Sequence, residues 1–113
     1  MQRLQVQPDT SLHFGGNNPE FPVEIVEFCS ERGILPHFRE AALLAHQTFK
    51  SVRTLDARIQ VDPEGDEERV VIDVTVDATV DEVLAAKKAY TRQWVQTAPP
   101  EVRDQIRLLY HLV

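Results

Sequence analysis

Hydrophobic and polar positions alternate twice in the middle of the chain. From Val52 to Asp62, Leu55, Ala57, Ile59 and Val61 fall on one side, with Thr54, Asp56, Arg58 and Gln60 on the other. Successive side chains of a strand point to opposite faces, so this alternation predicts a strand with one buried and one wet face. Arg69 to Val76 repeats it: Val70, Ile72, Val74 and Val76 inward, Arg69, Val71, Asp73 and Thr75 outward. Both stretches are rich in β-branched residues, which suit a pleated surface. Between them, Pro63 and Gly65 supply the fixed and the permissive φ of a turn. An antiparallel hairpin follows, with Val61 opposite Val70, Ile59 opposite Ile72 and Ala57 opposite Val74. This register sets Arg58 against Asp73 on the wet face. A slip of one residue would turn every inward valine to water.

The period then changes from two to three and four. Thr79-Val-Asp-Glu82 has the spacing of a capping box, and Asp81 and Glu82 suit the positive end of a helix. A helix is predicted to about Thr97, ahead of Pro99 and Pro100. Its apolar stripe runs through Val80, Val83, Ala86 or Lys87, Tyr90 and Trp94. Earlier, Phe21–Arg32 reads as a helix with Pro22 in its first turn and Gly33 as its stop. His37–Ser51 reads as a second helix, with Phe38, Ala41, Ala42, Ala45, Phe49 and Val52 at helical spacing. The short link between them implies a helical hairpin. At the C-terminal end, a helical turn over 100–105 precedes a third strand over 106–112, which widens a marginal two-stranded sheet. That strand pairs either antiparallel beside the first or parallel beside the second.

The expected class is α+β: a helical hairpin followed by a ββαβ unit, its small, mostly antiparallel sheet carrying the helices on one face. Residues 1–19 lack helical periodicity and contain Gly15-Gly16-Asn17-Asn18-Pro19, so a flexible arm is expected there, followed by a single domain over 20–113. A chain of 113 residues is long enough for one core without staples. One cysteine allows no internal disulfide, no apolar run reaches membrane-spanning length, and the first residues lack a secretory pattern. A soluble cytoplasmic protein is expected.

Charge changes the picture locally. The net charge is −6, but Asp62, Glu64, Asp66, Glu67 and Glu68 cluster in the hairpin turn; without them 13 acids would face 12 bases. Such a turn disfavours phosphate and favours a basic partner.

The other candidates are weaker. His13, His37, His46 and His111 show no metal-ligand spacing. Cys29 lies near a helix end beside the apolar stripe, where nothing lowers its pKa. The acidic turn lacks the glycine and final glutamate positions of a calcium loop. Lys87, Lys88 and Arg92 with Tyr90 and Trp94 are too few for nucleic-acid stacking on an acidic chain, and the aromatics are better used in the core. No phosphate loop, nucleophile elbow or C-x-x-C is present. No catalytic residue, metal or cofactor is expected.

Val61-Asp-Pro-Glu, Val70-Val-Ile-Asp-Val-Thr-Val, Val80-Asp-Glu-Val-Leu, Trp94 and Pro100-Glu-Val-Arg resemble, in that order, small uncharacterised bacterial α+β proteins with a strand–acidic turn–strand–helix–strand plan. The resemblance spans about residues 40–113. It rests on structural residues, so it implies the fold and the third strand but no activity. The expected function is a non-catalytic binding or regulatory module. It would act through a basic protein partner, as the acidic member of a small antitoxin-like pair, with Asp62, Glu64, Asp66, Glu67 and Glu68 as its contact residues. The alternative is a small hydrolase or metabolite-binding protein using His37 or His46 with a carboxylate. A third idea is homo-oligomerisation through sheet edges, with Val71 and Leu109 or Val113 buried against a second copy.

Overall fold

The computed structural model describes residues 21–113. The arm expected over 1–19, with His13, lies outside the described residues. The order is α1 (Val23–Glu31), α2 (Leu35–Thr48), β1 (Val52–Val61), β2 (Glu68–Val76), α3 (Val80–Thr97), α4 (Pro100–Arg103) and β3 (Ile106–Leu112).

Pro22 is the N-cap of α1, its carbonyl accepting from the Ile25 and Val26 amides. The helix closes by two crossed bonds, Gly33 N–H to Ser30 O at 3.1 Å and Ile34 N–H to Cys29 O at 2.9 Å, with Gly33 at φ +72°. Only a glycine takes that backbone without strain, and the buried Ile34 seats the turn against the core. Helix α2 starts at Leu35, earlier than the expected His37, because Pro36 is tolerated in a first turn where its missing amide has no partner anyway. It ends at Thr48, short of Ser51, whose φ of +54° turns the chain into β1. The capping box of α3 is complete: the Glu82 amide donates to Thr79 Oγ1 at 3.1 Å, and the Thr79 amide to Glu82 Oε1 at 2.9 Å.

The sheet order is β1-β2-β3, β1 antiparallel to β2 and β3 parallel to it. Of the two placements open for the third strand, the parallel one is found. Helix α3 supplies the crossover that parallel neighbours require. The hairpin register differs from expectation by two residues: Ile59 faces Val70, Ala57 faces Ile72 and Leu55 faces Val74. A two-residue shift keeps every side chain on its own face, so the alternation cannot distinguish the two registers. The turn decides. Asp62 N–H reaches Glu67 O at 2.8 Å, closing the loop tightly enough for Val61 to pair with Glu68.

One core joins both helices of the hairpin, α3, α4 and the helix-facing side of the sheet. Phe38, Ala41, Ala42, Ala45, Ile72, Val74 and Val76 are wholly buried in it. Phe21 packs edge-on against Phe38, and Tyr90 stacks on Trp94. Burying such side chains supplies roughly 1.5–3 kcal/mol each for the aliphatics. Val71 departs from expectation. It points away from the helices by alternation, yet it is wholly buried rather than wet. It stands in register between Arg58 and Arg107, whose long stems suit an apolar neighbour while their heads stay in water. Val71 therefore offers no exposed apolar surface to a second copy. Among the described residues no helix is long and apolar enough to cross a membrane.

Candidate functional site

The hairpin turn is built on its own acids. Asp62 Oδ1 accepts from the Glu64 amide at 3.0 Å, and the Asp62 carbonyl from the Gly65 amide at 3.3 Å. The Asp62 side chain thus makes the local turn that aspartate favours. At the base of the turn, Arg69 Nη2 lies 3.9 Å from Asp62 Oδ2, and Arg32 Nη2 donates to Glu68 Oε1 at 3.3 Å. Arg32 also lies over the Phe28 ring, 4.3 Å from its centroid, and so ties the base of the hairpin to the end of α1.

Of the five acids read as contact residues, two are thus paired. Glu64, Asp66 and Glu67 are exposed, and no ion pair reaches them among the described residues. Beside them lies an open depression of about 460 Å³, lined by Arg32, Asp66, Glu67, Glu68, Arg69, Asp104 and Gln105. Four carboxylates against two arginines, each already engaged by a carboxylate, leave this depression negative. It can hold an ammonium or guanidinium group by charge-assisted hydrogen bonds. No group of three or more histidine, cysteine, aspartate or glutamate side chains could hold a metal ion among the described residues.

A second constellation lies on the sheet face away from the helices. Arg58 donates through Nε to Asp73 Oδ2 at 2.7 Å and through Nη2 to Oδ1 at 3.4 Å. His111 Nε2 sits 2.9 Å from Asp73 Oδ1. Arg58 faces Val71 in register and reaches Asp73 on the diagonal, so the expected pair forms from a different position. Asp56 is the residue directly opposite Asp73. Burial pushes the Asp73 carboxyl up, but the hydrogen bonds and charges of Arg58 and His111 outweigh it, leaving the group below the usual carboxylate range. This cluster clamps both outer strands to the central one. The arrival of His111 depends on β3 lying parallel to β2, which places His111 opposite Thr75, next to Asp73.

His37 and His46 lie near opposite ends of α2. His37 Nδ1 is 3.6 Å from Glu40 Oε1, too far for a hydrogen bond, and is buried without a hydrogen-bond partner. His46 is half-buried near the end of α2. Cys29 is wholly buried, and burial pushes its thiol up to about 11, against a small opposing effect of Arg32. It is therefore a protonated core side chain at neutral pH. Tyr90 and Trp94 are buried, which removes them as a stacking surface.

No family model, no curated protein sequence and no solved structure matches this chain.

Proposed function

We propose that this chain is a non-catalytic binding module that presents the tip of its β1–β2 hairpin to a basic segment of another protein. The observation behind the reading is the set Glu64, Asp66 and Glu67, exposed and without an ion-pair partner among the described residues, on a turn held by its own hydrogen bonds and braced by Arg32. A pre-formed negative surface loses little conformational freedom on binding and speeds encounter with a cationic partner. The module acts as the acidic member of a two-protein pair of the antitoxin type. Gentle purification from the native cell, light scattering on the eluted complex and mass spectrometry of its components test this. A stoichiometric basic protein that is retained by the wild type and lost from a Glu64→Gln, Asp66→Asn, Glu67→Gln variant supports the reading. A partner held equally by both proteins, or none at all, contradicts it.

A second reading, a small hydrolase or metabolite-binding protein, draws on the contact between His111 and Asp73 rather than on His37 or His46. A carboxylate behind an exposed imidazole orients the ring for proton transfer at its other nitrogen. Any turnover or small-molecule binding that survives His111→Gln counts against this site.

A further inference from the structure

The two edges of the sheet are not alike. Strand β1 carries a register irregularity between Val52 and Thr54, a device that spoils an edge for pairing. Strand β3 runs from Ile106 to Leu112 with no proline, lysine or register break, and its one strand neighbour among the described residues is β2. Its backbone direction follows from two hydrogen bonds, Val70 N–H to Gln105 O and Val113 N–H to Val76 O. In a parallel ladder alternate residues bond the same neighbour, so the odd-numbered residues 105–113 turn to β2. Ile106, Leu108, Tyr110 and Leu112 turn their amides and carbonyls to the opposite edge, where no described strand pairs.

We propose that this edge pairs with β3 of a second copy, antiparallel across a two-fold axis at Leu109, making one six-stranded sheet. The strand is its own complement. Rotation about Leu109 sets Ile106 against Leu112 of the second copy and Leu108 against its Tyr110, so each edge-facing residue meets another. The four facing pairs then make about eight inter-strand hydrogen bonds. On the helix side the pairs are aliphatic–aliphatic and aliphatic–aromatic, and Leu112, 43% exposed in the single chain, is covered. On the other side Leu109 meets Leu109, and Arg107 meets His111. No two carboxylates face one another, and the acidic tip lies on the β1–β2 hairpin rather than in the interface. A self-complementary patch of this kind gives a closed dimer rather than a filament.

Cysteine scanning combined with light scattering tests the register. Residues at the axis form a non-hydrogen-bonded pair with Cα atoms roughly 4.5 Å apart, within disulfide range. Leu109→Cys is expected to run as a dimer and to cross-link under mild oxidation at least ten times faster than Arg107→Cys, whose counterpart is His111. The buried Cys29 stays as it is in both. Leu109→Lys, which sets like charges face to face on the axis, is expected to run as a monomer with unchanged circular dichroism. A wild-type monomer at several hundred micromolar overturns the proposal. Equal cross-linking at 107 and 109, or a Leu109→Lys protein that remains dimeric, overturns it as well.

Discussion

Thr79 shows how one side chain sets the start of an element. Its hydroxyl and amide each have a partner in Glu82, and both bonds disappear or weaken in Thr79→Ala. The expected cost is about 1 kcal/mol, read as a lower urea midpoint at unchanged slope. Asp73 gives a pH dependence. Its folded pKa lies below the unfolded value, so its contribution is complete above the ordinary carboxylate pKa and fades as pH falls through the folded one. Acid titration of stability should therefore steepen below about pH 4, and Asp73→Asn should remove part of that slope. The Arg58–Asp73 attraction was legible in the sequence because opposite charges on one wet face find each other across either register. The contribution of His111 was not, because it needs the order of strands, and no local pattern carries that.

At the scale of elements, the strands, the long helix and the four-residue turn of α4 follow from alternation, capping and proline. The alternation has a period of two, so it excludes odd slips and admits even ones, and the tight Asp62–Glu67 closure selects between them. Val71 is buried where alternation alone expects a wet residue, for a related reason. Alternation gives direction, but burial also depends on the neighbouring strands, and a central strand flanked by Arg58 and Arg107 has no wet face at that position. The element boundaries make two opposite predictions. Gly33→Ala meets no atom within 4 Å, so its cost is purely that of the left-handed backbone, roughly 1–2 kcal/mol. Ser51→Gly relieves the same kind of conformation at φ +54° and should leave stability equal or raise it by a few tenths of a kcal/mol. Thermal melts of the two variants beside the wild type check both signs.

For the whole molecule, charge is segregated. Most of the net −6 sits in the hairpin turn, at the far end of a hairpin that the core holds in place. The acids were legible from the sequence as a cluster. Asp62 pairs with the nearby Arg69, but the pairing of Glu68, which sets it apart from Glu64, Asp66 and Glu67, required the approach of Arg32 from the end of α1, 36 residues away. Because the side chains of these three make no hydrogen bond or ion pair among the described residues, and their backbone bonds survive the substitutions, Glu64→Gln, Asp66→Asn and Glu67→Gln together should change stability by no more than about 0.5 kcal/mol. Loss of binding in that variant would then report on the surface and not on unfolding.

The most direct measurement is photo-cross-linking in the native cell with a photoreactive residue in place of Asp66, compared with one in place of the exposed Arg92 on α3. The predicted result is one basic protein captured at 66 and not at 92, with the yield falling as salt rises and vanishing when Glu64 and Glu67 are neutralised. The same proteins captured at both positions, or a product at 66 indifferent to salt and to those two charges, would contradict a hairpin-tip site for a basic partner.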